Sequence, residues 1–224
     1  MKIEPLFRNY ELLIDKAESA FHRMEEENGS SITCSLQCSD CCHAVFGLFF
    51  IEAAYIQRHF ENLPNPIKQD TLLRCEKSDQ DLDRLQKMLK SFENDPEMSH
   101  YTLAKERIRC PLLDEEEKCV LYHARPITCR VYGIPTRIQG KVRVCGKSGF
   151  KAGKTYPIFD LDGVYRDLYV LSNELLIQAG DDHTEKASLL ITVSKALRTP
   201  LGALIKEDFE RPVESGTHVP PNSP

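Results

Sequence analysis

The sequence predicts a mainly helical α+β protein in which helices brace a small, irregular, hairpin-containing cysteine-rich metal core. Three observations predict it. Apolar residues recur at helical spacing near the N-terminus, in the middle and near the C-terminus. Short apolar segments flank a polar turn in two places. Eight of the nine cysteines fall into two sets, Cys34, Cys38, Cys41 and Cys42, and Cys110, Cys119, Cys129 and Cys145. At 224 residues the chain can bury a sizeable core without cysteines as staples.

Leu6, Tyr10, Leu13, Ala17, Phe21 and Met24 advance by threes and fours, which keeps them on one helical face. A helix over residues 4–27 follows, ending at Asn28-Gly29, with His22 beside its apolar stripe as a boundary residue. The first cysteine set comes next. In a helix its four sulfurs would share about 100° of the circumference. In a loop, Cys38-Ser39-Asp40-Cys41 would be a metal knuckle. Ala44 to Ile51 reads as a buried strand or approach segment leading to a helix over 52–63, which Pro64-Asn65-Pro66 breaks.

A second stripe, Ile67, Thr71, Cys75, Ser78, Leu82, Leu85 and Leu89, predicts a helical arm over 67–92. Cys75 lies on that stripe with no cysteine neighbour, so its role is packing. Cys110 and Cys119 flank the acidic turn Asp114 to Glu117, which suits a hairpin bringing them side by side. Pro126 and Gly133 bound a short helix carrying Cys129. A second hairpin turns at Gln139-Gly140 and delivers Cys145 at the end of its return strand. Two helices close the chain, one along Leu161 to Leu175 and one along Ala187 to Leu197. Asp160-Leu161-Asp162-Gly163 reads as a helix-start turn, because the other ligands of a calcium loop are missing. This divides the chain into an N-terminal helix (1–30), a cysteine-cluster domain (31–155) with the inserted arm, C-terminal packing helices (156–210) and a disordered tail (211–224).

The first residues lack the apolar core of a secretory signal and the longest apolar run is far too short to span a membrane. A cytoplasmic protein is expected, with reduced thiols that argue for metal over disulfides. Net charge is −5, yet residues 119–154 hold eight basic side chains and no acid. Either this is a solvated basic face, or positive charge gathers where thiolates must be held. The acidic balance and sparse aromatics of that stretch speak against nucleic acid. Adjacent side chains diverge, so Cys41 and Cys42 are expected to serve different metals, two corners of a cluster, or one metal and one free thiol. A buried Cys42 opening the apolar run is the plainer reading. His43, next to Cys42, is a candidate substitute ligand. A catalytic thiol needs one activated sulfur and not eight, which argues against nucleophilic cysteine chemistry.

Cys41-Cys42 ahead of an apolar run to Glu52, then Cys110-Pro111-Leu112-Leu113, then Tyr122-His123-Ala124-Arg125-Pro126-Ile127-Thr128-Cys129-Arg130, resemble the YkgJ-type cysteine-cluster family. That family is described as a zinc- or iron-chelating domain, and the resemblance covers residues 34–145. It implies metal ligands at Cys34, Cys38, Cys41, Cys42, Cys110, Cys119 and Cys129, with Cys145 as an eighth. Flagellin lysine methylases are similar in carrying such a domain. The expected cofactor is therefore an iron–sulfur cluster or a zinc ion, with the metal ion itself as partner. Arg125 and Arg130 are expected to stand behind the ligands, bonding sulfur or backbone carbonyls, or else Arg130 pairs with a carboxylate of the helical arm. The rival functions are a metal- or cluster-dependent enzyme modifying protein side chains such as lysine, and a zinc-stabilised module binding a protein partner. No glycine-rich strand-to-helix loop for S-adenosylmethionine is visible, which ranks the enzyme second.

Overall fold

Six of the predicted stripe residues near the N-terminus meet the core along a single helix, α1 (Ile3–Asn28). Gly29 does not stop it with a left-handed cap. Its φ is −53°, and the chain tightens into a 3-10 turn over Gly29–Ser31. The computed structural model describes residues 2–34, 38–181 and 183–207 of this mainly helical α+β protein. The tail expected over 211–224 lies outside the described residues.

Helix α2 (Phe50–Glu61) begins two residues earlier than expected. The cause is the Glu52 carboxylate, which folds back to accept the Phe49 N–H at 3.2 Å and satisfies a donor that the helix start would leave open. The preceding apolar run is an approach segment and not a strand. It is pinned by single antiparallel bridges, Ala44 to Arg107 and Leu48 to Ile191. Helix α3 (Asn65–Lys90) is the predicted arm, with Cys75 fully buried on its stripe. The sequence reading missed α4 (Pro96–Lys105). Asn94-Asp95-Pro96 lies four residues past the end of α3 at Lys90 and starts the next helix, because the Asp95 side chain accepts the Met98 N–H at 3.0 Å.

The expected hairpin at Cys110 and Cys119 is reduced to one bridge, Leu113 to Cys119. Asp114 tightens the turn by accepting the N–H groups of Glu116 and Lys118, and Glu117 takes a φ of 59°. The short helix after Pro126 is α5 (Ile127–Val131). The second hairpin forms as β1 (Thr136–Ile138) and β2 (Lys141–Arg143). Its turn residues Gln139 and Gly140 have φ of 52° and 68°, the left-handed pair that a tight two-residue hairpin needs. Cys145 lies just beyond β2 and not within it. A third strand, β3 (Phe159–Asp160), pairs parallel to β1, giving the order β2-β1-β3.

Helix α6 (Leu161–Gln178) starts where Asp160 accepts the Gly163 N–H, as the helix-start reading predicts. The helix expected over 187–197 is divided. A 3-10 turn (Thr184–Ser188) is followed by an extended stretch, then α7 (Val193–Arg198) and α8 (Leu201–Lys206). Ile191 and Leu48 exchange two backbone hydrogen bonds of 2.8 Å, which holds this stretch extended. Helix α1 packs on α2, α5 and α6, α2 packs on α6 and α7, and α3 packs on α7. One hydrophobic cluster takes residues from all of these helices. No described helix is long and apolar enough to cross a membrane.

Candidate functional site

Five of the predicted ligands, Cys41, Cys42, Cys110, Cys119 and Cys129, line a single cavity of about 70 Å³. They arrive from three places: the 3-10 turn Asp40–His43, the bridged loop before and after Asp114, and α5. The Cys110 N–H donates to the Cys42 carbonyl at 2.7 Å, which joins the first two segments. The rest of the wall includes Phe46, Ile108, Leu112 and Val193, with Arg125 as a cation among the thiols. Cys41 Sγ and Cys42 Sγ stand 4.0 Å apart and line the same cavity, so this adjacent pair does not diverge as the sequence reading expects. Cys42 is part-exposed within the cavity wall and is not a buried hydrophobe.

Two buried charged side chains hold α5 in place. Glu52, only 2 % exposed, accepts the Ile127 N–H at 3.0 Å and the Tyr10 hydroxyl at 3.4 Å while also accepting from Phe49. One carboxyl group thus satisfies the first turns of both α2 and α5. Burial pushes its pKa up to about 7, against the opposing pull of Ile127, Phe49, Tyr10 and Arg130. Arg130, 4 % exposed, donates to the carbonyls of Arg125 at 2.8 Å and His123 at 2.5 Å. It also pairs with Glu18 of α1. Both expectations for Arg130 are therefore met in part, since it bonds backbone carbonyls and pairs with a carboxylate, but that carboxylate is on α1 and not on the arm. Arg125 donates to the Tyr122 carbonyl at 2.9 Å and stacks over the Tyr122 ring at 3.7 Å.

The thiols are not equivalent. Hydrogen bonds from Cys129 and Cys42 lower the Cys41 pKa, and Arg125 adds to this. The same bonds, together with burial, raise Cys129 and Cys42. Burial pushes Cys110 to about 12 and Cys119 to about 11.

The remaining three predicted ligands do not line the cavity. Cys145 lies instead beside Asp40. Burial, followed by the charges of Cys38, Cys145 and Cys41, raises Cys34 to about 11. Cys145 is 8 % exposed, and its Sγ lies 3.6 Å from Asp40 Oδ2. The other Asp40 oxygen, Oδ1, pairs with Arg107 at 2.8 Å and Lys147 at 3.1 Å. The His43 Nδ1–H donates to the Ser39 carbonyl at 3.0 Å, and His43 is absent from the cavity wall.

Among the described residues, no three His, Cys, Asp or Glu side chains are already gathered as a metal-holding group. No protein-family model matches the chain, and no curated protein or solved structure matches it significantly. Three residues in these surroundings escaped a role in the sequence reading. Glu52 carried a legible signal, a glutamate in the first turn of a helix. Asp40 carried none, because its partners Arg107 and Lys147 are remote in sequence. Gly133 was read as a helix terminator. It also makes room for sulfur, since a Cβ there would run into Cys34 Sγ.

Proposed function

We propose that the protein holds a thiophilic metal centre, an iron–sulfur cluster or zinc, through the cysteines of the cavity. The supporting observation is that five thiols from three separated segments meet at one small cavity with a mainly apolar wall. A tetrahedral zinc ion or a four-iron cluster needs four thiolates, so the donor set fits with one sulfur in excess. Thiolates select such soft centres over calcium or magnesium. The sulfurs have to draw together on binding. Arg125 offsets part of the thiolate charge, and Glu52 and Arg130 keep α5, and with it Cys129, in position. A bound cluster would supply one-electron chemistry, whereas zinc would cross-link the segments.

The test is anaerobic purification of the full chain, followed by a visible spectrum and assays for iron, zinc and acid-labile sulfide. A brown, sulfide-containing sample or a colourless one with stoichiometric zinc supports the proposal, provided Cys119→Ser lowers that content. A chain that takes up neither metal after reconstitution with iron and sulfide, or with zinc, overturns it.

A further inference from the structure

We propose that the open edge of the small sheet, along Lys141 to Val144, is a docking site for an extended protein segment in which acidic and apolar side chains alternate. The site is separate from the cavity, and its occupant is independent of any metal held there. Strand β2 is the outer member of the order β2-β1-β3, and all three of its residues are exposed. Its register decides which backbone groups face outward. Ile138 and Lys141 flank the two-residue turn as the hydrogen-bonded pair, so the next pair, Arg137 and Val142, is the non-hydrogen-bonded one. The far side of β1 agrees with this, because the Phe159 N–H donates to the Pro135 carbonyl at 2.9 Å and alternation then leaves Thr136 and Ile138 to face β2. The Val142 N–H and carbonyl therefore point away from β1, and extended Arg143 turns the Val144 N–H to the same side. Among the described residues, neither valine takes a backbone partner beyond the sheet. An added strand would meet donors and an acceptor already aligned.

The side chains say what that strand should carry. Val142 and Val144 share one face and are 54 % and 44 % exposed, while Lys141 and Arg143 share the other. Nearby Arg137 and Lys147 are paired with Asp160 and Asp40, whereas Lys141 and Arg143 form no ion pair among the described residues. Asp162, the carboxylate that reaches this hairpin, is occupied by the N–H groups of Gln139 and Gly140. A second copy paired antiparallel about Val142 would set Lys141 against Arg143, and like charges directly opposite destabilise a pair. Acidic residues on one face of the incoming strand and apolar ones on the other complement both faces of β2.

Fluorescence anisotropy of a short labelled peptide of alternating glutamate and valine, titrated with the reduced full chain at low salt, tests the site. Binding is expected. Val142→Pro removes the outward N–H without touching the ladder to β1, and should weaken binding about tenfold. Lys141→Glu combined with Arg143→Glu should weaken it at least as much. A peptide of the same composition, with its glutamates and valines in separate blocks, should also bind more weakly. Equal binding of the two peptides, or equally tight binding of single-stranded DNA, would reveal a diffuse basic surface and overturn the proposal. An unchanged affinity in Val142→Pro, or no binding by wild type, would overturn it too. A wild-type dimer in sedimentation that Val142→Pro dissociates would give the edge to a second copy instead. Circular dichroism checks folding. If Val142→Pro does not fold, the wild-type chain is titrated against the alternating peptide N-methylated at every second amide, and undiminished binding of that peptide overturns the strand pairing.

Discussion

Cys41, in the cavity wall, and Asp40, beside Cys145, are neighbours in the chain, yet their surroundings are anchored by different physics. The cavity set depends on Glu52 and Arg130, at 2 % and 4 % exposure, which bond backbone groups around α5. Asp40, beside Cys145, is held by ion pairs to side chains that are 42 % exposed at Arg107 and 64 % exposed at Lys147. Buried polar groups are costly to strand, whereas exposed ion pairs contribute only about 0.2–1 kcal/mol. The comparison teaches that the helix carrying Cys129 is tied down by buried charged groups, whereas the carboxylate beside Cys145 is held by part-exposed ion pairs.

The largest effect should come from the metal itself. If the cavity centre joins three segments, free metal at about a thousand times its dissociation constant stabilises the fold by about 4 kcal/mol. A chelator should remove that increment in wild type and have little further effect in Cys119→Ser, as thermal melts would show. Equal chelator sensitivity in the two proteins would break the link between cavity and stability.

Arg130→Met comes next. It strands the carbonyls of His123 and Arg125 and leaves Glu18 unpaired, at an expected cost of about 3 kcal/mol. Urea unfolding measures this cost. Metal content of the cavity should fall in the folded variant. Unchanged metal content would show that Arg130 does not position Cys129 for binding.

Glu52 provides a pH-dependent version of the same test. Its carboxyl titrates near 4.5 when unfolded and about 7 when folded. A raised folded pKa means that the native state holds the proton more tightly. The stabilisation is complete below pH 4.5 and is lost as pH rises through about 7. That difference corresponds to about 3 kcal/mol from this group. Urea midpoints across this window should decline in wild type and flatten in Glu52→Gln.

Gly133→Ala is the smallest perturbation and the most selective. The added Cβ meets Cys34 Sγ and comes within 3.3 Å of Phe21 Cε2. Overpacking should cost about 1 kcal/mol in a urea melt. Metal content of the cavity should be unchanged, because Cys34 is not part of its wall. A fall in that content would break this separation.

Helical spacing was enough to place α1, α3 and α6 because each buries a regular stripe, and Gln139-Gly140 was enough to place the hairpin because few residue pairs accept two left-handed conformations. Cys75 was readable as packing from its position on a stripe. Where long-range pairing competes with local preference, the sequence was a poor guide. Ile191 sits in an apparently helical pattern but is held extended by Leu48, 143 positions away by number. The eight predicted ligands were legible as cysteines, but their division was not. Sequence order sorts them into 34–42 and 110–145, while the fold places Cys41 and Cys42 with the cavity and moves Cys145 to Asp40.

By itself the sequence determined a mainly helical α+β protein with clustered thiols, because apolar periodicity and cysteine spacing are local properties of the chain. Only the tertiary structure decided which sulfurs share surroundings, that Glu52 serves two helix starts, and that Asp40 lies between Cys145 and two cations. These depend on the directions of side chains from remote segments, which are set when the core packs and not by the spacing of residues along the chain.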